Sequence, residues 1–262
     1  MAAGVAYDPD AQAFFDAVEG GGDTLTDTQK DAVNTLVVTM KADGIYTKML
    51  AVYPFVGGTA SAHKWNLIDP QNTDAAYRLT FNGGFTHDSE GVTPNGSNTY
   101  ANTHLNPTTD QTLGDRHFSF YSLTTNTLTG YEFGAGNGLQ NVLITRYGGG
   151  NMYSGFSSYT QGANSNSNGF YIAGIGSPSG TQVISKNGDA TLYTNTGRSD
   201  SVAPNTDVFM FADNRSTGGS NPVEYSSKKG AFASFGESLD STERSDFYDA
   251  VQAYQTTLGR QV

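Results

Sequence analysis

The chain has 262 residues, no cysteine and a net charge of −11, with 15% charged residues against 32 glycines, 15 tyrosines and 15 phenylalanines. The absence of cysteine excludes disulfides and thiolate-bound metals, and the acidic balance excludes the basic footprint of a nucleic-acid binder or of a protein that docks on anionic lipid. The length suffices for one large all-β domain or two small ones, and the many Gly, Asn, Ser and Thr residues favour short strands joined by tight turns.

The opening stretch, MAAGVAYDPDAQ, has no basic region and no apolar run, so no export signal is expected. No window approaches the ~18 apolar residues of a membrane span. Asp8-Pro9 opens a helix, because proline is tolerated in the first turn. Phe14, Phe15 and Val18 form its apolar side and Gly20-Gly21-Gly22 ends it. Thr26 with Gln29 makes a capping box for a second helix striped by Val33, Leu36, Val37 and Met40 and closed at Gly44. A short third helix is expected over residues 45–53, ahead of Pro54. Residues 1–54 thus read as an N-terminal helical segment that either covers a sheet edge or anchors a neighbouring subunit, and residues 55–262 read as β.

Within the β part, residues 63–67 form an expected first strand with Trp65 in the core, and Tyr77, Leu79 and Phe81 alternate as a second. Further strands are expected at 117–121, 131–133, 142–147 and 169–173. Residues 148–168 read as a strand followed by an exposed loop carrying Tyr153, Phe156 and Tyr159. Residues 183–188 end in Asn187-Gly188, the best short hairpin signal in the chain. Residues 208–211 are apolar on both faces and therefore central, and 213–222 read as a polar loop. A closing strand at 231–235 feeds a helix over 240–259, with Asp240 and Glu243 as its capping box and Phe247, Val251, Tyr254 and Leu258 as its stripe. About a dozen short strands at even spacing describe a sandwich or barrel.

The ending GAFASFGESLDSTERSDFYDAVQAY resembles the last strand and helix of concanavalin A-like (laminin G-like) jelly rolls. The segments YPFVGGTASAHKWNL, GVTPNGSNTYANTHLNP and FYDAVQAYQTTLGR are similar to those of tailed-phage virion structural proteins. The resemblance implies a mainly β fold: a concanavalin A-like antiparallel β-sandwich, or jelly roll, with an N-terminal helical segment and a C-terminal helix. It also implies a non-enzymatic virion protein of the tail, fibre or capsid surface. Such a protein is made in the host cytoplasm, exposed on the released particle, and partnered by other virion subunits, with a homo-oligomer expected. The runner-up is a purely structural decoration or joining protein without a ligand.

A glycan hydrolase needs two carboxylates flanking the scissile bond, yet none of the six glutamates has a partner at strand spacing; Glu237 with Asp240 comes nearest, and capping accounts for Asp240. His63, His87, His104 and His117 have no partner histidine at zinc-site spacing. No cofactor is expected apart from a structural calcium, for which the loop donors are Asp88, Asp213 and Asn214. Host-surface glycan attachment remains as the binding function. Lectin sites combine aromatic faces for sugar C–H groups with amides for hydroxyls, which singles out Tyr153, Tyr159, Asn164 and Asn166 in the long polar stretch.

Overall fold

A computed structural model describes residues 6–125, 129–137, 141–176 and 180–262, with the backbone alone at 189–192. Helix α1 (Pro9–Gly20) starts at Asp8, whose side chain accepts from the Asp10 amide, and α2 (Asp27–Ala42) starts at the reciprocal Thr26–Gln29 box. The expected third helix is a single 3₁₀ turn, Tyr46–Lys48, followed by strand β1 (Met49–Tyr53). A strand wins here because successive side chains must enter two different cores. Val52 joins the apolar cluster under the helices, while Ala51 and Tyr53 join the one between the sheets.

The strand expected at residues 63–67 is instead a helical turn, α3 (Ala60–His63), and a loop. The amide of buried Asn66 fixes that loop, accepting from Val52 N and donating to the carbonyls of Leu50 and Ala76. Trp65 is buried among the helical side chains, as expected of a core residue. Tyr77 is left-handed (φ 55), which confines the next strand, β2, to Thr80–Asn82. Then come β3 (Thr86–Asp88), β4 (Gly91–Thr93), β5 (Tyr100–Asn102) and a helical turn, α4 (Pro107–Asp110).

The central strands are β6 (Arg116–Ser122), β7 (Phe133–Ala135), β8 (Asn141–Tyr147), β9 (Asn151–Phe156), β10 (Ser158–Ala163) and β11 (Gly169–Ile175). The stretch expected to hold one strand and a loop therefore holds two paired strands, β9 and β10, turning at Ser157 (φ 60). Next, β12 (Gln182–Lys186) and β13 (Asp189–Asn195) are joined by Asn187-Gly188, both at positive φ as that hairpin turn requires. The chain closes with β14 (Phe209–Met210), β15 (Asp213–Asn214), β16 (Pro222–Val223), β17 (Gly230–Gly236) and α5 (Ser241–Thr257). The polar loop expected at 213–222 thus begins and ends in a two-residue ladder, β15 against β16.

Two sheets form the sandwich. One runs β13-β12-β11-β6-β17-β4-β3, with β1 also on β17; the other runs β10-β9-β8-β7-β14-β5-β2, with β15 and β16 attached at β7. Among the described residues all pairings are antiparallel except the β15–β7 contact, Asn214 opposite Ala135. Between the sheets pack Phe118, Phe120, Phe133, Phe156, Phe211 and Phe235. The outer face of the first sheet presents Tyr121, Phe170 and Phe232, which α1, α2 and α5 cover with Phe14, Val37 and Phe247. The helical segment is thus a lid on one sheet face, and its apolar stripe is consumed there. The second sheet has no such cover among the described residues. Among the described residues its outer face carries the small cluster of Tyr131, Val142 and Ile144, with Tyr147 and Tyr153 against it, and apart from these the stacked pair Tyr100–Phe209.

Candidate functional site

Alternation along β8 sends Leu143 into the inter-sheet core and Val142 and Ile144 to the open face. The ladder then fixes what stands beside them. Ile144 lies opposite Tyr153, which lies opposite Gln161, while Val142 lies opposite Gly155, which lies opposite Tyr159. Gly155 adds no side chain to that face, so a depression opens between the rows. Tyr131, Ile144, Tyr147, Tyr153, Tyr159 and Gln161 line a groove of about 310 Å³.

The four tyrosines form a continuous row across the sheet. Ring centroids are 6.2 Å apart for Tyr131–Tyr147, 6.3 Å for Tyr147–Tyr153 and 6.2 Å for Tyr153–Tyr159, with interplanar angles of 88°, 90° and 50°. Burial grades along the row, from Tyr131 at 5% exposed to Tyr159 at 46%. One end is therefore anchored and the other is free to meet a partner.

The anchored end is electrostatically organised. The Tyr147 hydroxyl donates to Glu224 Oε2 at 2.9 Å, and that hydrogen bond to a carboxylate raises its pKa. Arg215 donates through Nε to Asp213 Oδ2 at 2.8 Å and through Nη2 to Glu224 Oε1 at 3.3 Å. Burial pushes the pKa of the neighbouring Tyr131 hydroxyl up to about 12. Asp213 is fully buried, and that burial pushes its carboxyl up to about 6 despite the guanidinium. Behind Tyr131, buried Glu132 holds Lys228 Nζ at 2.8 Å, Ser226 Oγ at 3.1 Å and the Thr145 amide at 2.6 Å. This buried ion pair ties β8 to the chain entering β7 and β17.

Of the four sequence candidates, Tyr153 and Tyr159 stand side by side in the groove. The other two face elsewhere. Asn164 is 6% exposed, donating to the Tyr171 hydroxyl at 2.8 Å and accepting from Lys186 Nζ at 3.1 Å. Asn166 spends its side-chain oxygen on the Asn168 amide and its carbonyl on Tyr171 and Lys186. Both hold the loop after β10 onto β11 and β12 instead of fronting a ligand. Tyr131, Ile144, Tyr147 and Gln161 complete the site unannounced, because only the strand register brings them together.

The three calcium candidates are not brought together. Asp88 sits in β3 of the helix-covered sheet, bonded to Lys229 Nζ at 2.9 Å and to the amides of Glu90 and Gly91. Asp213 belongs to the other sheet and to Arg215. Asn214 is buried, donating to Thr206, Asp207 O and Gly219 O while accepting from the Asn221 amide at 2.9 Å. Among the described residues no three His, Cys, Asp or Glu side chains form a cluster that could hold a metal ion. Asp240, considered for hydrolysis, caps α5 through the amides of Thr242 and Glu243. No described helix is long and apolar enough to cross a membrane.

No protein-family model matches the sequence, and no curated protein does. Among solved structures, the chain is similar to domain 4 of AbnA, a GH43 extracellular arabinanase from Geobacillus stearothermophilus solved with arabinotriose. That match has 13% identity over 76% of this chain and 98% of that one, with a TM-score of 0.46. A botulinum neurotoxin type C structure, from work on the dependence of its cell entry on two ganglioside molecules, matches at 9% identity and a TM-score of 0.47 over 80% of this chain. The binding domain of Paraclostridial Mosquitocidal Protein 1 matches at 9% identity and a TM-score of 0.39 over 79%. The chain spans about half of these last two, 53% in each case. At such TM-scores and identities neither ligand nor site transfers to this chain.

Proposed function

We propose that this chain is a non-enzymatic glycan-binding β-sandwich that attaches a phage particle to host-surface polysaccharide through its tyrosine groove. The observation that carries the proposal is the row of four tyrosines on the sheet face that no described helix covers. Tyrosine offers an apolar ring to the C–H face of a sugar and a hydroxyl to its polar rim, with few torsions to freeze. Gln161 adds an amide that both donates and accepts. The carboxylates beside the groove support binding over catalysis. Asp213 is buried against Arg215, and Glu224 is committed to Tyr147 and Arg215, so neither stands free as a general acid opposite a nucleophile.

The virion assignment rests on the sequence resemblance, with which the hydroxyl- and amide-rich, weakly charged surface agrees. Presentation in several copies on one particle would let a shallow groove with modest affinity hold a cell, since linked sites multiply their effect. The test is retention of the purified protein by a panel of immobilised host polysaccharides. Saturable retention, competed by the soluble polysaccharide and lost in Tyr159→Ala, is expected. Retention by none of them, from a protein with intact near-ultraviolet dichroism, would leave a structural subunit.

A further inference from the structure

Given the glycan-binding reading, on which this step rests, we infer that the groove selects uncharged sugars and rejects carboxylate-bearing ones, with Glu224 as the specificity-determining residue. Among the described residues the lining of the groove contains no basic side chain. At its anchored end two carboxylates, Asp213 and Glu224, stand against one guanidinium, Arg215, which leaves one uncompensated negative charge when both acids are ionised.

A uronic or sialic carboxylate would need a cation with donors to spare. Arg215 is 35% exposed, but its Nε and Nη2 already donate to Asp213 and Glu224, so a ligand anion would have to compete with two built-in carboxylates for this one cation. Glu224 is 30% exposed and ionised carboxylates only accept. A neutral sugar brings hydroxyl donors that match it; an acidic sugar brings a like charge. The whole chain, at −11, repels anions in the same sense.

The experiment titrates the full chain at pH 7 with neutral fragments (dextran, β-glucan, galactan and mannan) and with anionic ones (polygalacturonate and alginate) by calorimetry. The inference predicts that the best neutral fragment binds at least about tenfold tighter than any anionic one at low salt. Raising ionic strength to where the Debye length is about 3 Å should shrink that ratio several-fold. Glu224→Gln keeps an amide oxygen for the Tyr147 hydroxyl and should narrow the low-salt ratio about fivefold. Asp43→Asn, an exposed acid at the end of α2 on the helical side of the sandwich, changes net charge equally and should leave the ratio within about twofold. If anionic fragments bind as tightly as neutral ones, or Asp43→Asn acts like Glu224→Gln, the inference is overturned while the groove stands. If neither panel binds, the groove assignment falls and takes the inference with it. Should Glu224→Gln fail to fold, the salt dependence of the native protein decides alone.

Discussion

Lys228→Met removes one partner of an ion pair whose two side chains are both fully buried. In the native protein Lys228 Nζ donates to Glu132 Oε1 at 2.8 Å and to Gly130 O at 3.1 Å. Methionine fills similar volume, so the loss is electrostatic rather than steric. What remains is a buried carboxylate with, among the described residues, only Ser226 and the Thr145 amide as donors. Breaking a buried pair from one side costs about 3–5 kcal/mol, because the survivor's desolvation is no longer offset. For a chain of this size that is a fall in Tm of about 6–20 °C. Glu132→Gln combined with Lys228→Met removes both charges and should recover most of the loss, to within about 1–2 kcal/mol of the native protein. Urea unfolding of the four members of the cycle gives the numbers. A single variant costing under about 1 kcal/mol, or a double variant no better than the single, would refute the assignment of this pair as the strut behind Tyr131.

Acid should destabilise the fold. Burial pushes His117 down to about 4 and His63 to about 3, and His63 Nε2 accepts from the Gly58 amide while its Nδ1 lies 3.0 Å from His87 Nδ1. Folded pKa values below the unfolded ~6.5 mean stability that is complete above pH ~6.5 and lost as pH falls toward 4 and 3, at about 1.4 kcal/mol per unit per group. Asp213, raised to about 6, works oppositely, its cost present above pH 6 and relieved below it. Between pH 7 and 5 the balance is a loss of about 2–3 kcal/mol, readable as a falling urea midpoint; a midpoint that holds or rises would contradict it. Gly91→Ala should cost at least about 3 kcal/mol, since its Cβ would sit 2.1 Å from the Gly230 carbonyl at a φ of +143°; a Tm within a degree of native would show that β4 can shift off β17. Thr26→Ala should cost about 1 kcal/mol by opening the cap of α2, measured the same way.

The helices were legible because their signals are local: Thr26 with Gln29 and Asp240 with Glu243 cap helices that begin within one residue of expectation. The hairpin at Asn187-Gly188 and the buried strand around Phe209 were legible for the same reason. Strand β1 was not, because both of its faces are buried, and an apolar run then carries no period to separate strand from helix. Its identity lies in its pairing with β17 across the whole chain. The groove was half legible. A tyrosine pair in a Gly/Ser/Asn-rich stretch points to Tyr153 and Tyr159, but the stretch reads as one strand and a loop instead of two strands because the turn at Ser157 lacks a glycine or asparagine signal. Tyr131 precedes β7 and Tyr147 ends β8, and register alone makes the four neighbours. Asn164 and Asn166 misled for a related reason: side chains that suit a sugar also suit a carbonyl inside the fold.

The central claim is that the exposed tyrosines bind sugar. Calorimetric titration of the native protein and the Tyr153→Ala/Tyr159→Ala variant with the best neutral polysaccharide fragment tests it most directly, with Tm checked for both. Each stacked ring is worth about 1–2 kcal/mol, so the account predicts that the variant folds normally and binds at least about thirtyfold more weakly. Equal affinity in a well-folded variant would place the glycan elsewhere and contradict it.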